Sequence, residues 1–384
     1  MRAMPELRVR RDDLASCELV EGEQRREDLA GGQAQLLVER FALSANNVTY
    51  AALGDQLGYW RLFPTPEGWG RIPAWGYARV VGSRSPALVE GQRMFGLVPM
   101  GTYVTVRPAP HPIGFVDAAP HRAELSPVYN QYLSVEGEGD DAALVMRPLF
   151  GTSVLLDQVL SEAGFNGARA VVLTSASSKT AYGLAHLLRE RPVQTIGLTS
   201  AARRGWVDGL GLYDAVLAYD GLGELGAPGG AVLVDFAGDR ALVCGVHEQL
   251  GATLVRSMIV GFTHWQADAD EAPLPGPVPY FFFAPDEMAR RGARARGAVR
   301  RGLAEVRPRG RADDAHRAGH RRRRACGCLP RPARGARRPG RGLRSQPERL
   351  TRVGSALDGK RSLPSLEQRL CCRVGTSERL RSSA

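Results

Sequence analysis

The spacing of apolar residues changes once along the chain, near residue 140. Before that point, short runs of bulky and small residues at 36–43, 72–81 and 102–106 are separated by turns rich in glycine and proline. Such runs are typical of short strands in an antiparallel sheet. They predict a barrel-like domain over residues 1–140.

After residue 140, apolar runs alternate with helical spacing. The pattern predicts helices over 149–163 and 239–250 and buried strands over 170–173, 193–198, 215–219, 231–236 and 253–260. Strands that alternate with helices indicate a doubly wound parallel sheet. The predicted fold class is α/β, with a Rossmann domain at residues 141–265.

One strand–turn–helix unit stands out within this region. The β-branched run 170–173 leads through a turn of small and hydroxyl residues into a helix whose apolar face carries Ala181, Leu184, Ala185 and Leu188. A unit of this kind opens a nucleotide-binding sheet. The free N–H groups at the start of its helix favour an anion.

The turn lacks the usual Gly-x-Gly-x-x-Gly loop, so its cofactor contacts must come from other small residues. We predict contacts from Ser175, Ala176, Ser177, Lys179 and Thr180. Small side chains let a pyrophosphate approach the backbone, and hydroxyls add donors. Lys179 is one of only two lysines in the chain and is a candidate phosphate ligand. The alternative is a solvated lysine at a helix start.

The end of the second strand bears on cofactor choice. An NAD site usually has an acidic residue here for the ribose 2′-hydroxyl. This chain instead has Ser200, Arg203 and Arg204. Because arginine binds a 2′-phosphate through paired hydrogen bonds, the sequence favours NADP(H). The alternative is two solvated arginines on an exposed helix start.

The net charge of +11 is concentrated at the C-terminal end. From residue 290 onward there are 28 of the 51 basic residues and 7 of the 40 acidic ones, so the preceding part carries a balance of −10. This charge distribution argues against nucleic-acid binding by the body of the protein.

No membrane segment or signal peptide is expected. No run approaches about 18 apolar residues, and the N-terminus lacks an apolar signal core. The body contains only Cys17 and Cys244, which gives no disulfide framework. A cytoplasmic location is the default expectation.

Six motifs recur in a characteristic order, at residues 41–50, 73–76, 147–153, 174–180, 261–265 and 279–285. Together they resemble the medium-chain dehydrogenase/reductase superfamily in its zinc-independent, quinone-oxidoreductase-like branch. More narrowly, the chain resembles an uncharacterised bacterial family of unknown function in that branch. The similarity covers roughly residues 10–291.

This resemblance implies a GroES-like N-terminal domain, a substrate cleft between the two domains, and a segment at 266–291 that returns toward the N-terminal domain. Tyr50 matches a tyrosine near the nicotinamide, where a hydroxyl can bind or protonate a substrate oxygen. Asn46 or Asn47 lies near the family's asparagine, with Asn47 as the catalytic candidate, and Tyr219 matches a tyrosine that lines the NADP phosphate. The alternatives are a core tyrosine at 50 and a strand-end aromatic at 219.

Zinc is not expected. The zinc-dependent relatives use Cys and His ligands in the barrel domain and a four-cysteine lobe. Here Cys17 is alone, and His111 and His121 lie in proline-rich loops without ligand spacing.

Residues 292–384 form an arginine-rich tail that is predicted to be disordered. It contains no aromatic residue, which removes the stacking expected of single-strand binders. Its four cysteines are poorly spaced for zinc. The hypothesis that fits best is an out-of-frame translation of a GC-rich gene.

The leading interpretation is an NADP(H)-dependent, zinc-independent oxidoreductase that acts on a carbonyl, enone or quinone-like small molecule. One alternative is a nucleotide-binding protein without catalysis. Another is nucleic-acid binding through the tail, although nucleic acid is not the expected partner. A homodimer is left open.

Overall fold

The structure is a computed structural model of the chain, and it describes residues 5–23, 27–261, 273–292 and 297. Residues 262–272 lie outside this set, as does the predicted tail apart from residues 292 and 297. The described residues all belong to one compact unit.

The N-terminal half is antiparallel and forms a near-barrel. A seven-stranded sheet has the order β7-β3-β5-β6-β10-β9-β8, and a three-stranded sheet has the order β2-β1-β4. The strands are Pro5–Arg10 (β1), Cys17–Glu21 (β2), Ala34–Phe41 (β3), Trp69–Gly70 (β4), Pro73–Ser83 (β5), Arg93–Pro99 (β6), Tyr103–Val106 (β7), Pro108–His111 (β8), Gly114–Asp117 (β9) and Gln131–Val135 (β10). The helices of this half are Ala45–Ala52 (α1) and Pro127–Asn130 (α2).

The second half is a parallel sheet with helices on both faces. Its order is β13-β12-β11-β14-β15-β16, and every neighbouring pair runs parallel. The strands are Ala170–Leu173 (β11), Gln194–Thr199 (β12), Ala215–Ala218 (β13), Ala231–Asp235 (β14), Leu254–Ile259 (β15) and Tyr280–Phe281 (β16). The helices are Asp141–Glu162 (α3), Lys179–Leu188 (α4), Ala201–Asp208 (α5) and Arg240–Leu250 (α6).

The central strands of this sheet are buried on both faces, which is why they are continuous apolar runs. All residues of β11 and β14 are buried. One face packs against α3 and α4 around Leu156 and Leu184. The other packs against α6 around Val246. The predicted α/β class with an antiparallel and a parallel domain is confirmed.

The first helix of this half begins earlier than predicted. It starts at Asp141 rather than near residue 149, because Pro148 is accommodated inside the helix instead of marking its start. The Asp140 carboxylate caps the helix by accepting the Ala142 N–H at 2.9 Å.

This helix, α3, is the one described helix that is long and apolar enough to cross a membrane. Half of its most apolar window is buried. It packs against α4 and β5. Helices in the core of folded domains meet the same criteria of length and apolar composition.

The predicted return segment takes part in both halves. Tyr280 and Phe281 form the sixth parallel strand, with Tyr280 paired to Met258. Phe282 is buried in the core between the sheet and α4, while Phe283 packs against the core of the N-terminal half. Two adjacent side chains therefore join the two cores.

Candidate functional site

The strand order creates a crevice between β11 and β14. From β11 the chain moves outward through β12 to β13, then returns to β14 on the other side of β11 and continues to β15. In such sheets, ligands bind outside the carboxyl ends of the strands at this switch point. The turn from Ser175 to Ser178 follows β11 directly and therefore lies at that edge.

The turn is tight although it lacks glycine. Ser175 adopts a φ of +45°, a left-handed conformation that is uncommon for residues other than glycine. Its carbonyl accepts the Ser178 N–H at 2.7 Å, and the Ala176 N–H donates to the Leu198 carbonyl of β12 at 2.9 Å. These bonds hold the turn against the end of the second strand.

The same turn leaves backbone donors open for an anion. Ser178 caps α4 by accepting the Ala181 N–H through its hydroxyl. Within the described residues, hydrogen bonds engage none of the N–H groups of Ser177, Lys179 and Thr180. Free N–H groups at a helix start fit a phosphate, which the helix dipole also favours. The residues present therefore suit the pyrophosphate of a dinucleotide.

Tyr219 is brought to this turn from the end of β13. Its hydroxyl oxygen accepts the Ser175 N–H at 3.2 Å. Burial raises the pKa of the Tyr219 hydroxyl, so it keeps its proton at neutral pH. That proton is available for donation to a ligand above the turn. The structure thus brings Tyr219 together with the predicted phosphate-binding residues.

The predicted 2′-phosphate residues lie at the end of β12. Ser200 is the N-cap of α5, and its hydroxyl makes no capping bond. Arg203 and Arg204 are exposed in the first turn of that helix. The first turn contains no acidic residue. The hydrogen bond from the Ala176 N–H to Leu198 holds the turn at 175–178 against the end of β12. Ser200, Arg203 and Arg204 therefore lie at the same edge of the sheet as that turn.

One polar pair at the switch point was not predicted. The Thr174 hydroxyl, at the end of β11, donates to Asp235 Oδ1 at the end of β14 over 2.5 Å. It also accepts the Phe236 N–H at 2.8 Å. The carboxylate in turn accepts the N–H groups of Ala237 at 3.1 Å and Gly238 at 2.8 Å. The pair thereby fixes the loops on both sides of the crevice.

Asp235 is fully buried, and this burial raises the pKa of its carboxyl group. The sequence contains a signal that could have located Asp235. A polar Asp that ends a buried apolar run and precedes Gly238 marks a strand-to-loop transition at the ligand edge of a parallel sheet.

Asn47 lies in the first turn of α1, where its side chain stabilises the local structure. Its Oδ1 accepts the Ser44 N–H at 2.8 Å, which closes a capping box. Its Nδ2 donates to the Pro73 carbonyl of β5 at 2.9 Å. Both ends of the amide are therefore engaged with backbone, and a catalytic role for Asn47 stays a prediction.

Tyr50 follows on the same helix and is buried in an aromatic cluster. Its hydroxyl oxygen accepts the Trp75 indole N–H at 3.0 Å. Its ring lies 4.6 Å from Tyr59, whose hydroxyl is 2.7 Å from that of Tyr129. Burial raises the pKa of Tyr50 to about 12, and bonds from Trp75 and Asn46 offset this only in part. No hydrogen bond or ion pair between described residues joins Tyr50 to the turn at 175–178.

The part of the chain that the structure describes contains no group of three or more His, Cys, Asp or Glu side chains placed to hold a metal. Cys17 and Cys244 are both free thiols.

The fold of the chain is similar to that of several solved structures. One similar structure is CurA from Vibrio vulnificus in complex with NADPH, with a TM-score of 0.53 and 12% identity over 75% of this chain and 83% of that one. Another is a putative NADPH:quinone reductase from Mesorhizobium loti, with a TM-score of 0.53 and 15% identity over 79% and 90% of the two chains. At these identities the likeness shows the fold.

The chain belongs to DUF2855, a family of proteins of unknown function, whose profile matches residues 41–305. No curated protein matches it. The predicted resemblance to a family of unknown function with a quinone-reductase-like fold is confirmed. The family match extends into the first residues of the predicted tail.

Proposed function

We propose that this protein is an NADP(H)-dependent, zinc-independent oxidoreductase that acts on a carbonyl, enone or quinone-like small molecule. The observation that carries the proposal is the switch-point edge. There, open N–H groups at Lys179 and Thr180 lie beside the end of β12, and the helix that follows this strand carries Arg203 and Arg204 and no acidic residue in its first turn. The NADPH bound in the structure of CurA supports the same cofactor.

The bound nicotinamide would supply hydride chemistry, and the chain's residues would bind and orient the reactants. Lys179 and Tyr219 would hold phosphate oxygens, and the two arginines would bind the 2′-phosphate. Tyr50 would keep a proton for a substrate oxygen, because its raised pKa leaves it neutral at working pH.

The buried setting of Tyr50 favours a second candidate, a protein that binds NADPH without turnover. The Tyr50 side chain is only 5% exposed, and its hydroxyl already accepts a hydrogen bond from Trp75. A substrate oxygen reaches it only if the cleft admits the substrate to that depth.

The test is anaerobic NADPH oxidation, followed at 340 nm, with phenanthrenequinone, cyclohexenone and benzaldehyde as acceptors. The proposal expects turnover with at least one acceptor and an unchanged rate after treatment with a chelator. Tyr50→Phe should lower kcat more than it changes the Kd for NADPH. NADPH binding without turnover of any acceptor would instead establish the non-catalytic candidate.

A further inference from the structure

Arg147 lies in the second turn of α3, where this helix passes from one half of the molecule to the other. Before it, Leu144 packs with Tyr77 and Phe95 of the N-terminal half. After it, the Ser153 hydroxyl donates to the Thr180 carbonyl of α4 at 2.8 Å. Arg147 therefore stands between the predicted catalytic region and the helix that follows the phosphate-binding turn.

A second contact places Arg147 close to that turn. The preceding residue, Met146, accepts the hydroxyl of Tyr182 through its sulfur at 3.6 Å. Tyr182 lies in the first turn of α4, which also contains Lys179 and Thr180. The side chain of Met146 is thus in contact with the start of the helix that is proposed to bind phosphate.

Aromatic rings connect Arg147 with Tyr50. The guanidinium carbon lies 4.9 Å from the centre of the Phe95 ring. Phe95 stacks with Trp75 at 5.4 Å and 14° between planes. Trp75 in turn donates its indole N–H to Tyr50. The guanidinium is thus two rings away from the hydroxyl that is predicted to act on the substrate.

The charge of Arg147 is not neutralised within the described residues. It forms no ion pair or hydrogen bond with any of them, and its nitrogens are not sealed from solvent. Arg40 provides a contrast. It stacks on Tyr77 at 5.3 Å in the same way, but it pairs with Asp141 at 3.3 Å and donates to the Gly139 carbonyl at 3.2 Å.

The guanidinium of Arg147 lies over a ring and keeps its N–H donors in a planar fork, which suits the paired oxygens of a carboxylate, sulfonate or phosphate. We infer that Arg147 binds an anionic group of the substrate and thereby selects quinone-like or enone substrates that carry such a group. The inference rests on the proposed function, because it names the substrate class of the same cleft. The pyrophosphate of the cofactor is also an anion that suits a guanidinium. The experiment below distinguishes binding of the substrate's anionic group from binding of the cofactor.

The test uses two anthraquinones of similar size, anthraquinone-2-sulfonate and the neutral 2-(hydroxymethyl)anthraquinone. Their binding to the full-length chain is followed by quenching of tryptophan fluorescence without nucleotide. The wild type should bind the sulfonate about tenfold more tightly than the neutral probe. Arg147→Gln should abolish that preference, Arg147→Lys should retain part of it, and the matched control Arg40→Gln should retain it in full.

Equal binding of both probes by the wild type would overturn the inference. So would an Arg147→Gln variant that melts cooperatively and keeps the sulfonate preference while losing affinity for NADPH, because Arg147 would then serve the cofactor. A sulfonate preference that depends on Arg147, in a chain that does not bind NADPH, would support the anion site and defeat the proposed function instead.

Discussion

Thr174 and Asp235 form a hydrogen-bonded pair at the ligand edge of the parallel sheet. The threonine hydroxyl donates to the carboxylate and accepts a backbone N–H, and the carboxylate takes two further N–H groups. Both residues are completely buried. Removing one side chain of the pair leaves the groups that it bonded to without a hydrogen-bonding partner. Buried polar groups that are left unpaired cost free energy.

Thr174→Val should therefore destabilise the protein by about 1–3 kcal/mol, the cost of unpaired buried polar groups. Thr199→Val is the matched control. Thr199 is buried at the end of the neighbouring strand, and its hydroxyl makes no hydrogen bond with the described residues. Denaturant unfolding of both variants measures the difference. Equal losses would show that the Thr174–Asp235 bond contributes nothing to stability.

Tyr50 gives a pH-dependent prediction. Its folded pKa is about 12 because of burial, whereas an unfolded tyrosine has its ordinary pKa of 10.0. A group with a raised folded pKa contributes stability that is complete below the unfolded pKa and is lost as pH rises through the folded pKa. The wild type should therefore lose stability relative to Tyr50→Phe between about pH 10 and 12, by up to about 1.4 kcal/mol per pH unit.

Urea unfolding of wild type and Tyr50→Phe at pH 8, 10 and 11 measures this difference. Between pH 8 and 10 the gap should change by only about 0.4 kcal/mol, because the unfolded tyrosine is half ionised at pH 10 while the folded one keeps its proton. A gap that does not change further from pH 10 to 11 would mean that the hydroxyl is accessible to solvent in the folded protein.

The sequence could predict the turn at 175–180 because its residues are contiguous and a strand–turn–helix pattern surrounds them. The Thr174–Asp235 bond could not be predicted in the same way. It joins residues 61 positions apart and depends on β11 and β14 being neighbours. The structural role of Asn47 likewise depends on the Pro73 carbonyl of a distant strand.

The packing of α3 against α4 fixes where the proposed phosphate-binding helix, α4, lies. Gly183 is at the contact, and a Cβ added there would lie 2.7 Å from the Ser153 hydroxyl oxygen and 3.1 Å from the Phe150 ring. Glycine is thus required for close approach of the two helices. Gly205 of α5 is a helical glycine with nothing within 4 Å of the added Cβ.

Gly183→Ala should destabilise the protein by about 1–3 kcal/mol through overpacking, and it should weaken NADPH binding by displacing the start of α4. Gly205→Ala should stabilise it by roughly 0.5–1 kcal/mol, because alanine favours the helix and meets no neighbour. Thermal melting of the pair measures both effects. A Gly183→Ala variant as stable as Gly205→Ala would contradict the close contact of α3 and α4.

Elements differ in how far the sequence predicted them. The parallel strands are short, fully buried apolar runs, so the predictions for 170–173, 193–198 and 231–236 lie within one residue of the observed bounds. Strands β8 to β10 and helix α1 were not predicted. They have mixed polarity, and β8 begins with a proline, so long-range pairing rather than local pattern defines them.

At the scale of the whole molecule, the two halves are joined by the two ends of the parallel domain. Helix α3 packs against β5 at its start and α4 further along. The segment after β16 places Phe282 in one core and Phe283 against the other. The tyrosine cluster and the proposed phosphate-binding turn are therefore held within one folded unit.

The central claim is that this unit binds NADP(H) at the switch-point edge. Calorimetric titration of the full-length chain with NADPH and with NADH tests it most directly, alongside Arg203→Ala/Arg204→Ala and a control, Arg189→Ala, which removes an exposed arginine at the far end of α4. We expect NADPH to bind at least about tenfold more tightly than NADH. The double variant should lose that preference, and the control should keep it. A cooperatively folded chain that binds neither nucleotide, or binds both equally, would contradict the claim.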